Sequence, residues 1–287
     1  MKSKKILVTG GAGFIGSHLC RELVKNNKIF VLDNYSTGLE KNHVSGVTYI
    51  KGDTKDIEKL INFTPDVIYH LGEYSRTSES FKEPKKVWEY NIEGTFRVLE
   101  FCRKNRVGKL MYAGSSTKLA DGGDGRNQSP YAWTKAANTE LIQRYGEWYK
   151  IPYVIVYFYN VFGEGEIEDG NYSTIIGIFK RLTREKKPLT IVKPGTQMRG
   201  FTHVRDIVRG VILAVEKGEG DGYCLGPKEM YTIKDVGEMF GGEIEMLPER
   251  PGDRKTAVID LTKTEEDLDW RAEIKLEDHI REFLKSL

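Results

Sequence analysis

The chain has little of several features that would mark a specialised class of protein. It has only three cysteines in 287 residues, and Cys20, Cys102 and Cys224 lack the spacing of a metal site or a disulfide framework. Its formal net charge is +2, which favours neither nucleic acid nor a membrane surface as a partner. No apolar run approaches the roughly 20 residues of a spanning helix, and residues 1–5 lead into a strand rather than a signal peptide. These absences predict a cytoplasmic globular protein without a metal.

A strand, a glycine-rich turn and a helix open the chain. Residues 4–9 form a short apolar run with β-branched members, and residues 17–24 have helical spacing. Between them, Gly10 permits a tight turn, Gly13 lets the backbone approach a pyrophosphate, and Gly16 lets the helix pack closely on the strand. The free N–H groups of the helix N-terminus favour an anion. A turn that binds nothing is the alternative.

The next strand, residues 28–32, ends at Asp33, about twenty residues after the glycines, as in a dinucleotide-binding fingerprint. A carboxylate there accepts hydrogen bonds from ribose hydroxyls and repels a 2′-phosphate, so NAD is favoured over NADP. A polar loop, residues 34–38, follows. The cofactor residues predicted from this unit are Gly10, Gly13, Phe14, Ile15, Gly16, Asp33, Asn34, Ser36, Thr37 and Gly38.

Later strand ends extend the predicted cofactor site. Asp53 follows a strand, and it either faces the adenine or caps a helix over residues 57–62. Gly72 follows the fourth strand and would let the backbone approach the cofactor, whereas His70 inside that strand is expected to be structural. Asn91 lies on the apolar side of a helical pattern over residues 83–105, where a buried amide needs partners. The predicted cofactor set is completed by Asp53, Thr54, Leu71, Gly72, Glu73, Asn91, Tyr131 and Lys135.

Three residues have the pattern of a proton-transfer site. Ser115 lies at the carboxyl end of the fifth strand, and Tyr131 and Lys135 lie four residues apart, on one face of a predicted helix. A phenol titrates near 10 in water, and a neighbouring ammonium favours the phenolate. The phenolate can take a proton from a sugar hydroxyl while the carbon gives hydride to NAD. Ser115 would hold the same hydroxyl.

Together, these motifs resemble the extended short-chain dehydrogenase/reductase family, specifically its NAD-dependent nucleotide-sugar epimerases and dehydratases. The resemblance implies a doubly wound parallel sheet, or Rossmann fold, with a smaller α+β lobe that binds the nucleotide sugar. We expect a nucleotide-binding domain over residues 1–163, to which 199–217 return, and a lobe made of 164–198 and 218–287. The motifs that carry the resemblance are residues 9–16, 32–38, 115–117, 131–135, 160–163, 199–206 and 250–253.

The resemblance also implies partners. The substrate would be a UDP- or GDP-linked sugar, with its diphosphate held by Asn160, Arg199 and Arg250, and Asp253 would contact the ribose or pair with a neighbouring arginine. Surface arginines are the alternative for Arg199 and Arg250. Relatives form homodimers through helices that correspond to 87–102 and 131–149, and a role in polysaccharide biosynthesis is typical. The apolar surface of that interface would be Trp88, Phe96, Tyr145 and Trp148, unless these residues belong to the core.

Departures from the family pattern narrow the predicted chemistry. Ser116 and Thr117 stand where dehydratases place an acidic pair, so elimination lacks its acid and base, and a 4-epimerase is favoured. A net 4-dehydrogenase or 4-keto reductase needs the same catalytic residues, and a 4,6-dehydratase fits less well. Glu73 and Arg76 replace small residues, either as a pair that reads the substrate or as a salt bridge. We assign Arg76 and Ser116 to the substrate site. A non-enzymatic scaffold would lack the intact Tyr131–Lys135 pair.

Overall fold

The computed structural model describes residues 1–250 and 258–287, and its largest feature is a parallel β-sheet. The strands, in chain order, are β1 (Lys5–Thr9), β2 (Lys28–Asp33), β3 (Thr48–Lys51), β4 (Val67–His70), β5 (Lys109–Ser115), β6 (Tyr153–Phe158), β7 (Val161–Phe162), β8 (Leu189–Val192), β9 (Met198–Arg199), β10 (Thr202–His203), β11 (Gly220–Leu225), β12 (Tyr231–Thr232) and β13 (Ile244–Leu247). The helices are α1 (Phe14–Leu23), α2 (Ile57–Leu60), α3 (Pro84–Val87), α4 (Gly94–Asn105), α5 (Pro130–Tyr149), α6 (Ile175–Arg184), α7 (Val204–Lys217), α8 (Ile233–Phe240), α9 (Thr262–Leu268) and α10 (Leu276–Lys285).

The large sheet has the order β3-β2-β1-β4-β5-β6-β11, and every neighbouring pair is parallel. The chain builds β1, β2 and β3 outward in one direction and then crosses to β4 on the other side of β1. In such sheets ligands bind outside the carboxyl ends of the strands, at this switch point. The doubly wound sheet predicted from the sequence is confirmed.

Both faces of the sheet are covered, which explains why its strands read as continuous apolar runs rather than alternating ones. In β1, Ile6, Leu7 and Val8 are all fully buried. Ile6 and Val8 pack in the core that includes residues of α1 and α7, whereas Leu7 packs in the core that includes residues of α4 and α5. The three cysteines are buried free thiols in these cores, as small apolar residues would be.

The turn after β1 tolerates only glycine at two positions. Gly10 has φ +72°, and a Cβ there would lie 2.9 Å from Gly72 Cα. A Cβ on Gly16 would lie 2.2 Å from the carbonyl oxygen of Gly10, which is far inside van der Waals contact. The absence of these side chains therefore lets α1 begin directly against the end of β1.

A third core lies in the smaller lobe. It joins α6, α8 and α10 to the strand pair β8–β13, through residues such as Phe179, Ile191 and Phe240. The expected lobe boundary at residue 218 differs from the structure, because β11 pairs with β6 at the edge of the large sheet and α9 packs against β11. We propose a division in which β11 and α9 belong to the nucleotide-binding domain, whereas β9, which pairs with β12, belongs to the lobe. Within the described ranges, no helix is both long and apolar enough to cross a membrane.

The helical pattern over residues 83–105 is confirmed, but the helix is not uniform. Residues Trp88–Glu93 form a π-helical segment between α3 and α4. Such widened turns often lie at functional sites because they redirect one side chain. The side chain here is Asn91, which is fully buried and reaches the loop after β4, where it accepts a 2.7 Å hydrogen bond from the Tyr74 N–H.

His70 has the structural role expected for it. It is fully buried in β4, and its ring nitrogens lie 2.7 Å from Thr9 Oγ1 and 3.0 Å from Thr95 Oγ1. Burial lowers the pKa of His70 to about 4, although the nearby Glu73 carboxylate acts in the opposite direction. The histidine therefore ties β1, β4 and α4 together as a neutral ring.

This pKa predicts an acid-dependent loss of stability. An exposed histidine titrates near 6.5, so the unfolded chain takes up a proton before the folded protein does, and the free energy of unfolding falls as the pH drops from about 6.5 to 4. The change due to one such group is on the order of 3 kcal/mol. Urea unfolding of H70Q between pH 4.5 and 7.5 should show a weaker pH dependence than the wild type. Equal pH dependence would contradict this role for His70.

Candidate active site

A cavity of about 570 Å³ opens at the carboxyl edge of the sheet, between the sheet and the lobe. The predicted site residues among the described ranges line this cavity, with the exception of Gly38 and Asn91. The topology thus brings together residues that lie up to 240 positions apart in the chain, from Gly10 to Arg250. Asp253 lies outside the described residues.

The predicted proton-transfer residues meet at the end of β5. Ser115 is the last residue of that strand, and the Tyr131 hydroxyl donates a 3.2 Å hydrogen bond to its Oγ. Thr117 Oγ1 also lies 2.9 Å from Ser115 Oγ. Tyr131 is held in the first turn of α5, because Pro130 starts the helix and the Ser129 hydroxyl caps it by accepting from the Ala132 N–H at 3.1 Å. The phenol and the serine hydroxyl can therefore share one proton.

The opposite end of the cavity has the chemistry of a dinucleotide site. The N-terminus of α1 has no side-chain cap, so its N–H groups remain available to a pyrophosphate. Asp33 is buried at the end of β2, and it accepts from the N–H groups of Ala12 (2.9 Å) and Tyr35 (2.8 Å). Burial has the largest effect and raises the pKa of Asp33, although the two N–H groups act in the opposite direction. A carboxylate oxygen can accept more than one hydrogen bond, so Asp33 fits ribose hydroxyls.

Three other predicted cofactor residues have resolved contacts. Asp53 accepts from the Lys55 N–H (3.2 Å) and from Asn34 Nδ2 (3.1 Å), so it caps the short turn Thr54–Asp56 rather than the expected helix α2, which begins at Ile57 after Asp56. Its contact with the adenine stays a prediction. Gly38 does not line the cavity. It lies against Asp33, whose Oδ1 would be 2.8 Å from an added Cβ. Asn91 does not line the cavity either; its amide donates to Thr134 Oγ1 (3.0 Å) and so positions the site rather than facing a ligand.

The lobe side of the cavity carries two arginines. Arg199 in β9 is buried, and its guanidinium donates a 2.9 Å hydrogen bond to the Met198 carbonyl. Arg250 is exposed at the rim. Asn160 follows β6, and its amide donates a 2.8 Å hydrogen bond to the Gly200 carbonyl. Two forked cations suit two phosphate groups.

Comparison with known proteins agrees with this geometry. The model of the NAD dependent epimerase/dehydratase family matches residues 6–226. The chain belongs to this family. A putative UDP-glucose 4-epimerase from Methanocaldococcus jannaschii is 31% identical to it over 294 residues, which cover 96% of each chain.

Solved structures of related proteins share the fold of this family member over nearly its whole length. The UDP-N-acetylglucosamine 4-epimerase from Methanobrevibacter ruminantium, in complex with UDP-N-acetylmuramic acid, superposes with a TM-score of 0.90 at 28% identity, over 99% of this chain and 98% of that one. The UDP-glucose 4-epimerase from Thermus thermophilus, in complex with NAD, gives 0.88 at 27%, over 99% and 100%. The protein is an NAD-dependent enzyme.

The site of this family member also contains a buried ion pair that its sequence motifs did not predict. The Lys135 ammonium contacts the Glu73 carboxylate and the Ala113 carbonyl oxygen, and the two side chains are only 5% and 3% exposed. Glu73 therefore pairs with Lys135 rather than with Arg76, and the alternative of a Glu73–Arg76 salt bridge is wrong. Three further donors reach Glu73 Oε1: Thr95 Oγ1 at 2.7 Å, Asn138 Nδ2 at 2.8 Å and the Tyr112 hydroxyl at 3.1 Å.

Sequence reasoning missed this network because its members belong to separate elements. Thr95 lies in α4, Tyr112 in β5 and Asn138 in α5. One signal was available: Asn138 follows Lys135 by three residues, so the two side chains share a helix face. Three further residues that line the cavity from the lobe, Ile167, Ser173 and Thr174, gave no signal, because they lie in a loop without a motif.

The Glu73 carboxylate should control how activity depends on pH. The negative charge of Glu73 offsets the positive charge of the Lys135 ammonium. E73Q therefore leaves more positive charge near the Tyr131 hydroxyl, which favours the phenolate. We expect the acidic limb of the kcat profile to lie at lower pH in E73Q than in the wild type. The profile should be measured for wild type and E73Q with NAD bound. A uniform loss of kcat at every pH would instead indicate a purely structural role.

Proposed function

We propose that the protein is an NAD-dependent nucleotide-sugar 4-epimerase. The observation that carries this proposal is the Tyr131–Ser115 hydrogen bond in the cavity that Lys135 also lines. The same cavity contains the helix N-terminus suited to a pyrophosphate and the two lobe arginines suited to a diphosphate. The relatives named as UDP-glucose and UDP-N-acetylglucosamine 4-epimerases support a UDP-linked sugar as the substrate.

In the proposed reaction, Tyr131 takes the proton of the sugar's C4 hydroxyl while Ser115 holds the same oxygen. When bound, NAD supplies the hydride chemistry, by accepting a hydride from C4 and later returning it. The 4-keto sugar turns over in the cavity, so that its other face is reduced. Tyr131 then returns the proton to the C4 oxygen, and the net result is inversion at C4 without consumption of the cofactor.

The residues around Ser115 argue against elimination. Ser116 and Thr117 supply hydroxyls where a dehydratase needs an acid and a base. The buried Glu73 carboxylate, which lines the same cavity, is already paired with Lys135 and hydrogen-bonded to three further groups. A net 4-dehydrogenase or 4-keto reductase would use the same three catalytic residues, and it is distinguished by accumulation of NADH or by a requirement for added NADH.

Replacement of the phenol tests the assignment. Y131F removes the proton carrier without altering the helix or the cofactor contacts, so NAD binding should persist. Inversion at C4 should fall by at least about 100-fold. The assay follows the C4 epimer by NMR without added NAD, and Y153F, in β6, serves as a matched tyrosine control that should remain active. Full activity of Y131F would reject Tyr131 as the base.

We further propose a homodimer, which an exposed aromatic surface supports. Trp88 and Trp133 stack with ring centroids 6.4 Å apart and are 53% and 44% exposed, and Trp148 is 61% exposed. Phe96 on α4 adds to this surface. Tyr145, expected here from the sequence, is buried and donates to Glu100 Oε1 at 3.0 Å, so it belongs to the core. A patch of this kind marks an interaction site.

A charge in this patch should break the dimer. W88E places a carboxylate where an apolar partner surface would lie, and sedimentation velocity should then show a monomer, whereas the wild type sediments as a dimer at micromolar concentration. M246E alters a 39% exposed apolar residue in the lobe and should leave the dimer intact. A monomeric wild type would contradict the proposed interface.

The wider setting we propose is polysaccharide biosynthesis in the cytoplasm. The three buried free thiols support a reducing compartment. A sugar nucleotide is the activated donor that glycosyl transfer requires, which is consistent with this setting.

A further inference from the structure

One cation in the catalytic cavity has no acidic partner. Arg76 follows β4 and lines the cavity together with Tyr131 and Ser115. Its guanidinium donates to two backbone carbonyls, those of Ser75 (3.1 Å) and Tyr172. Its Nε is enclosed and has no hydrogen-bond partner. Among residues 1–250 and 258–287, no aspartate or glutamate forms an ion pair with it.

Such a charge is costly to keep without a counter-ion. Burial lowers the pKa of Arg76, and the nearby phenols of Tyr131 and Tyr172 act in the opposite direction. A guanidinium does not lose its proton in proteins, so it stays charged and its desolvation must be offset by an anion. Because Tyr131 lies near Arg76, the anion that Arg76 needs would lie beside the reacting carbon of the proposed reaction.

The guanidinium is also held firmly. The Tyr172 ring lies 5.9 Å from it, and the hydroxyl groups of Tyr172 and Tyr74 both bond to Glu83, at 3.3 and 3.0 Å. The Glu83 carboxylate is itself paired with Lys86, at 3.2 Å, so it does not serve Arg76. The surrounding contacts thus fix Arg76 between the loop after β4 and the lobe segment that carries Tyr172.

The diphosphate of the substrate does not account for this arginine. Arg199 and Arg250 line the cavity from the lobe and already match the two phosphates in number and geometry. Arg76 comes instead from the loop after β4, the strand next to β5, whose end carries Ser115. With the sugar's C4 at Tyr131, the group that faces Arg76 belongs to the sugar ring. On a hexose, C6 is attached to C5, the neighbour of C4.

We propose that the substrate is a nucleotide-linked sugar acid, a hexuronic acid whose C6 carboxylate is bound by Arg76. This inference rests on the proposed function, because the epimerase reaction is what places C4 at Tyr131. A carboxylate matches the planar fork of the guanidinium and gives Nε the acceptor that it lacks. A neutral sugar would leave the charge unpaired, so Arg76 acts as a specificity-determining residue.

The test compares an acidic and a neutral sugar of otherwise equal structure. UDP-glucuronate and UDP-glucose are offered separately to the NAD-bound protein, and both kcat/KM for C4 inversion and the binding constant by calorimetry are measured. We expect the wild type to prefer UDP-glucuronate by about 10- to 100-fold, which is the range of a charge-assisted pair. R76Q should bring the kcat/KM values for the two sugars close to each other, and R76K should be intermediate, because it keeps the charge without the fork. R281Q removes an exposed arginine on α10 and should alter neither value.

The outcomes separate this inference from the proposed function. If the wild type inverts both sugars equally and R76Q lowers kcat/KM for both equally, Arg76 serves the diphosphate or the fold. The inference then fails, whereas the proposed epimerase function is retained. If neither sugar is inverted but calorimetry shows an Arg76-dependent preference for UDP-glucuronate, the inference stands and the epimerase fails. Equal binding of both sugars in that case rejects the inference as well. Oxidation at C4 makes a β-keto acid, so loss of CO₂ to give a UDP-pentose would also support the acid substrate while rejecting epimerisation.

Discussion

The buried ion pair between Lys135 and Glu73 is the interaction on which the site depends. It joins α5 to the loop after β4, and the three other donors to Glu73 bring in α4, β5 and a second position of α5. Removal of one partner of such a pair leaves an unpaired buried charge, at a cost of about 3–5 kcal/mol. The pair therefore fixes where the ammonium lies relative to the Tyr131 hydroxyl, and it also reduces the net positive charge there.

The parallel sheet determines which residues can share this site. Because the carboxyl ends of parallel strands lie along one edge, side chains that follow β1, β2, β4 and β5 converge although they are distant in the chain. The lobe closes the same edge from the other side and adds Arg199 and Arg250. Charge is distributed unevenly in the resulting cavity. Arginines lie on the lobe side, the Lys135 ammonium is paired with Glu73, and Arg76 has no acidic partner near the Tyr131 phenol.

Local patterns were enough to predict much of this arrangement. The glycine turn, the strand ending in Asp33 and the Tyr131–Lys135 spacing each reflect short-range geometry, namely backbone freedom, a strand end and a helix face. The sequence could not place side chains whose partners come from another element. Gly38 packs on Asp33, Asn91 binds the loop after β4 through a π-helical segment, and Tyr145 turns into the core toward Glu100.

The sequence by itself determined the fold class, and it predicted the cofactor and catalytic residues, because these depend on residues close together in the chain. Only the tertiary structure decided which groups neutralise one another. Glu73 and Arg76 are three residues apart and of opposite charge, so the sequence allowed them to pair. In the folded protein Glu73 turns inward to Lys135, and Arg76 faces the cavity with an unpaired charge, because the contacts of α4, α5 and β5 orient the loop between them.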